Sequence, residues 1–152
     1  MLIQTMSEAM SIDLLRRAWL GHLACCHEGR PYVVPVGYAY QDHHLYCCAT
    51  EGQKIAWMRS NPTVCVEIEE IVNRQEWETV VLYGTFEELP DRPDTLDARI
   101  ETYERLARAP GWWQPAFSPT LRSDGERPVR PLFFRIVINE MVGHRGLPAD
   151  RR

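Results

Sequence analysis

Apolar and polar positions change period several times along the chain, and each change marks an element. Over residues 7–18, Met10, Leu14 and Ala18 recur at four-residue spacing. Ser7 is placed to cap, Glu8 and Asp13 lie early and Arg16 and Arg17 late, so a helix packed on a sheet is predicted. Strand patterns then run over 19–26, 32–40 and 44–49, divided by turns at His27-Glu28-Gly29-Arg30 and Gln41-Asp42-His43. Two consecutive hairpins are expected. Residues 51–60 read as a short helix that stops at Asn61-Pro62, because proline disfavours helical geometry in the residue before it. Over 63–69 the period returns to two, with Val64, Val66 and Ile68 on one face and Cys65, Glu67 and Glu69 on the other.

A turn near Asn73-Arg74 leads into a β-branched and aromatic run over 77–86, read as a long strand that Pro90 ends. Residues 93–108 carry a stripe of Leu96, Ile100, Tyr103 and Ala107 with charged residues between, the pattern of an amphipathic helix. Residues 109–131 hold five prolines, Trp112 and Trp113 and no periodicity, which predicts a long functional or mobile loop. An apolar strand over 132–138 follows, and 141–152 reads as a polar tail. Six strands joined mainly by hairpins, with three helices interspersed, predict a mostly antiparallel sheet curled into a barrel. A doubly wound parallel sheet would need a helix in nearly every crossover.

Composition narrows the function classes. With 152 residues, 45% apolar and 25% charged, the chain is long enough for one domain with a sizeable core. A net charge of -4 lacks the basic excess of a phosphate-backbone binder, so nucleic acid is not an expected partner. No window approaches the roughly 20 apolar residues of a membrane span, and no signal-peptide layout opens the chain, so a cytoplasmic location is expected. The five cysteines are an odd number and include two adjacent pairs, Cys25-Cys26 and Cys47-Cys48, which would point to opposite faces of a strand. Reduced thiols packed as small hydrophobes are expected, with no metal site; His22, His27, His43 and His44 read as turn and surface positions. Glu67, Glu69 and Glu70 read as a solvated strand edge.

Two segments carry candidate chemistry. Ala49-Thr50-Glu51-Gly52-Gln53-Lys54 lies where a strand gives way to a helix. The first turn of a helix leaves N–H groups unpaired and carries partial positive charge. With Thr50 as cap, Gly52 admitting close approach and Lys54 four residues after Thr50, the segment can cradle a phosphate; an ordinary cap followed by a solvated lysine is the alternative. In Tyr32-Val33-Val34-Pro35-Val36-Gly37, Pro35 lacks an N–H and Gly37 lacks bulk, which predicts an open sheet margin where a flat ligand can lie against Val34 and Val36. Trp77 can cover a ligand, fill a subunit interface or pack in the core. No nucleophile, zinc-protease, Walker or Rossmann motif is present, so no catalytic residue is assigned.

Taken together, Leu20-Gly21-His22-Leu23-Ala24, Pro31 to Val36, Leu45-Tyr46, Thr50 to Arg59, Asn61 to Cys65 and the run from Trp77 to Gly84 ending Tyr-Gly resemble the pyridoxamine 5'-phosphate oxidase-like, FMN-binding split-barrel superfamily. The resemblance implies a six-stranded antiparallel split β-barrel over residues 1–146, with 147–152 as a polar tail. It also implies a homodimer holding FMN at the subunit interface and an oxidoreductase passing electrons or hydride to a small-molecule substrate; a flavin- or haem-binding storage or sensor module is the alternative. By position the phosphate segment falls on Thr50, Gln53 and Lys54, and the flavin-ring strand on Val33, Val34, Pro35 and Val36, with Trp77, or one of the loop residues Trp112 and Trp113, reaching in from the partner. The sequence also resembles the nitroimidazole-resistance reductases, but Cys47-Cys48-Ala49 stands where many of those carry a histidine. Neither nitroimidazole reduction nor vitamin B6 oxidation carries over.

Overall fold

Two tight hairpins begin the barrel, and their turns explain their register. In the computed structural model, which describes residues 1–109, 121–122, 125–126 and 131–149, β2 (Leu20–His27) pairs antiparallel with β3 (Arg30–Gly37) around Glu28-Gly29. Both turn residues have positive φ, the geometry whose twist matches that of paired strands. The second hairpin joins β4 (Ala39–Gln41) to β5 (His44–Thr50) through Asp42 and His43, again with positive φ at both residues.

Before these come β1 (Leu2–Thr5) and α1 (Glu8–Arg17), capped as expected by the Ser7 hydroxyl, which accepts from the Met10 N–H at 3.2 Å. After them come α2 (Gln53–Ser60), β6 (Thr63–Asn73), β7 (Glu76–Leu89) and, past a short 3-10 turn, α3 (Leu96–Leu106). Two-residue strands β8 (Leu121–Arg122) and β9 (Gly125–Glu126) pair with each other, and β10 (Pro131–Leu147) ends the order. Trp112 and Trp113 lie outside the described residues.

The main sheet runs β3-β2-β6-β7-β10-β5-β4, with β1 added beside the far half of β10. Its two end strands do not pair with each other, so the barrel is split. The sheet has eight strands where six were expected. One extra is β1, whose four residues are all exposed and carry no alternation to read. The other arises because residues 32–40 divide at Tyr38, whose ring is buried; its N–H bonds Trp19 O at 2.9 Å and its hydroxyl donates to Leu15 O at 3.0 Å.

Three other expectations change. The tail over 141–152 is mostly strand: β10 continues to Leu147, its far half flanked by β7 and β1. Glu67 is not on a sheet edge, because there β6 is paired with both β2 and β7; Glu69 and Glu70 lie beyond the β2 ladder and pair with β7 alone, and the carboxylates of Glu67 and Glu69 stand on the sheet's outer face. The third helix forms, but Leu96, Ile100 and Tyr103 are each about half exposed, and the buried residues are Thr102 and Leu106.

Val64, Val66 and Ile68 point inward as their alternation predicted, joining Leu23, Leu45, Val80, Leu82, Phe134 and Ile136 in a core closed by Ile55 and Met58 of α2. Each such side chain, fully withdrawn from water, contributes about 1.5–3 kcal/mol. Cys25 and Cys47 are buried while Cys26 and Cys48 are half-buried, the opposite-face arrangement expected of adjacent strand residues. All five cysteines are free thiols, as expected.

Candidate functional site

The split of the barrel leaves the backbone of an end strand open on one side. Among the described residues β3 bonds only β2, so one side of the Val33–Pro35 backbone has no described strand neighbour. Along it Val33 and Pro35 are exposed, Val34 is half-buried against the core and Val36 is 5% exposed. A ligand lying along the outer margin therefore meets Val33 and Pro35, while Val34 and Val36 shape the inner wall.

α2 spans the nearby hairpin of β2 and β3. The Trp57 ring stands 5.5 Å from both His27 and Tyr32, and the Asn61 amide donates to Cys26 O at 3.1 Å. These contacts hold the middle and the C-terminal end of the helix against the β2–β3 hairpin. Gly52, not Thr50, is the N-cap: its carbonyl accepts from the Ala56 N–H at 3.1 Å, and no side chain caps the helix. Thr50 is instead the last residue of β5, so the four-residue helical spacing to Lys54 does not apply. The backbone N–H groups of Gln53, Lys54 and Ile55 are left for water or a ligand. A Cβ built on Gly52 would meet nothing within 4 Å, so the approach is open.

Lys54 is the charged group at this helix start. It is half-buried and, among the described residues, has neither an ion pair nor a side-chain hydrogen bond. Burial lowers its pKa from the usual lysine range, opposed by the Cys47 and Cys25 thiols. Those thiols belong to β5 and β2, each one strand in from the end strands β4 and β3. Burial in turn pushes the Cys47 thiol well up and that of Cys48 to about 11, which leaves both inert at neutral pH.

Sequence reasoning missed the clamp that fixes α2. Arg59 binds both carboxylate oxygens of Glu51 and both of Glu88, the latter at 2.7 and 2.6 Å. It ties the turn before the helix to the end of β7. A Glu51/Arg59 spacing of eight residues was the only local signal, and the Glu88 partner is set by tertiary structure. Hydrogen bonding from Arg59 lowers the Glu88 pKa. A depressed carboxylate pKa gives stability that is present above its unfolded value and lost as pH falls through the folded one. Arg59→Ala is expected to cost about 1 kcal/mol at neutral pH, modest because the pair is part-exposed. That penalty should shrink below about pH 4; urea unfolding of both proteins across pH measures it.

Trp77 does not join this site within one chain. It lies at the opposite end of β7 from Leu89, which is aligned through Phe133 with Cys48 near the end of β5. That is about 40 Å of strand. The indole instead covers Gly146, where a Cβ would fall 2.5 Å from Trp77 Nε1. Among the described residues no helix is long and apolar enough to cross a membrane.

An antiparallel barrel whose two end strands do not pair with each other defines the class: a split barrel. The sequence pattern of the pyridoxamine 5'-phosphate oxidase family matches residues 7–145, and the chain belongs to this FMN-binding split-barrel family. It is 34% identical over 150 residues to an uncharacterised protein of Rhizobium meliloti, covering 99% of each chain. A crystal structure of an FAD-binding protein from Mesorhizobium loti superposes with a TM-score of 0.78 at 37% identity, covering 96% of this chain and 99% of that one. A candidate pyridoxamine 5'-phosphate oxidase from Corynebacterium glutamicum shares the fold, with a TM-score of 0.70 at 22% identity over 97% of this chain and all of that one.

Proposed function

We propose that this chain is a cytoplasmic FMN-binding flavoprotein, a homodimer that passes electrons or hydride from a reduced donor to a small-molecule acceptor. The observation that carries the reading is Lys54: a half-buried ammonium without a partner among the described residues, at a helix start without a side-chain cap. The FAD-binding relative at 37% identity supports a flavin. One ammonium and one helix N-terminus suit one phosphate group, hence FMN.

In this reading Lys54, the Gln53 and Lys54 N–H groups and the Thr50 hydroxyl hold the phosphate. Val33, Val34, Pro35 and Val36 line one edge of the ring, and unpaired β3 backbone groups meet its polar rim. Bound flavin supplies the redox chemistry, and the protein supplies binding, orientation and access. A partner copy brings Trp77 to the ring, which its distance from Lys54 within one chain requires. Exposed Leu2, Ile3, Trp19, Ile71 and Val72, with Leu96 and Ile100 on α3, offer apolar area for such a partner.

The test is the visible spectrum of the purified protein, with the released chromophore identified by mass, then turnover with NADH or NADPH and a panel of acceptors. A flavin spectrum with reduction by either donor is expected. A haem spectrum, or no uptake of added FMN, overturns the flavin reading. Bound FMN that no donor reduces overturns the oxidoreductase reading in favour of a storage or sensor module.

A further inference from the structure

On the outer face of the sheet, away from Lys54, three potential metal ligands converge. His22 of β2 stands in register opposite Glu67 of β6, and its Nδ1 lies 3.2 Å from Glu67 Oε2. Glu69, two residues further along β6, points to the same face. One donor atom from each of the three lies within 4.8 Å of the others. Thr79 of β7 donates its hydroxyl to Glu67 Oε1 at 2.9 Å, so that carboxylate is oriented by a neighbour, as metal ligands commonly are.

Charge accounting favours a cation here. Two carboxylates held this close repel each other. The adjacent guanidinium, Arg17, is taken up by Asp13, Glu70 and Glu78. Among the described residues, Glu69 has no cationic partner and Glu67 has only His22. His22 and Glu67 are paired on both sides and Glu69 is paired with Thr79 of β7, so all three stand on hydrogen-bonded strand backbone, a rigid base for coordination.

We propose that His22, Glu67 and Glu69 form a site for a divalent first-row cation, zinc foremost. One imidazole and two carboxylates without thiolate suit a borderline-to-hard ion, and water completes the coordination because the site is part-exposed. Bound metal bridges β2 to β6 and raises the stability of the barrel without touching the flavin pocket.

Calorimetric titration of the chelator-treated protein with zinc chloride tests this, with cobalt absorption as a second readout of the ligand set. Wild type should bind one ion per chain and gain melting temperature. His22→Ala and Glu69→Gln should each weaken binding at least about tenfold, and Thr79→Val about tenfold through the loss of orientation. Glu70→Gln, whose carboxylate is held by Arg17, should bind as wild type does; circular dichroism confirms that each variant is folded. Wild type that binds no zinc at millimolar concentration, or His22→Ala and Glu69→Gln binding with unchanged affinity, overturns the proposal.

Discussion

Replacing Lys54 by methionine is expected to weaken FMN binding by about 10–100-fold, the loss of one charge-assisted hydrogen bond, while the ligand-free protein stays as stable as wild type or gains stability. Both halves follow from the same environment. The ammonium is half-buried without a counter-charge among the described residues, and burial lowers its pKa. A lysine whose folded pKa is depressed costs stability while it is charged. That cost fades as pH rises through the folded value towards 10.5. Methionine keeps the unbranched stem and removes the cost. A phosphate supplies the missing counter-charge, so wild-type affinity should fall with rising pH earlier than an ordinary lysine would dictate. Flavin fluorescence titration and thermal melts of both proteins measure the two effects. Unchanged affinity would remove Lys54 from the phosphate site and with it the main support for the flavin reading.

Gly84→Ala should destabilise the barrel by about 1–3 kcal/mol through overpacking, lowering the melting temperature by several degrees. Gly84 lies in β7 between Val64 of β6 and Ile138 of β10, beside the register shift that separates Ile138 from Glu140. A Cβ there would fall 2.6 Å from Val137 O and 2.5 Å from Ile136 Cγ2. Ile136 is fully buried, so its methyl has nowhere to turn, and the Val137 carbonyl belongs to the paired backbone of β10. Gly52→Ala is the matched control. Its Cβ meets open space, so its folding stability should stay near wild type while flavin affinity reports on crowding at the helix start. Equal melting temperatures for Gly84→Ala and wild type would show that β10 can shift away from β7, which the close packing excludes.

Gly84 also shows why the Tyr83-Gly84 pair inside β7 was legible as a motif before its cause was. Sequence marks a position without bulk; only the bulged neighbouring strand shows what would collide with it. The same division holds at the candidate site. Pro35 announced a strand that cannot be paired on both sides, and β3 is indeed terminal. The helix after Gly52 was equally readable from its Asn61-Pro62 stop. What misled was extrapolation of one period through a junction: Thr50 and Lys54 were placed on a common helix face, whereas the chain is still extended at Thr50. The stripe on α3 misled in another way, since periodicity reports that a face is apolar and not what covers it.

From the amino-acid order alone came the hairpins, the capped first helix, the inward set Val64, Val66 and Ile68 and the mostly antiparallel barrel, because each depends on local periodicity, turn chemistry or proline geometry; that the barrel is split was implied by the family resemblance. Tertiary structure alone decided that Cys25 and Cys47 flank Lys54, that Arg59 joins Glu51 to Glu88, that His22 faces Glu67, and that Trp77 lies remote from the phosphate segment of its own chain. Those relations depend on which strands become neighbours and in what register. A strand's own pattern says which face is buried, but the register is set by partners tens of residues away.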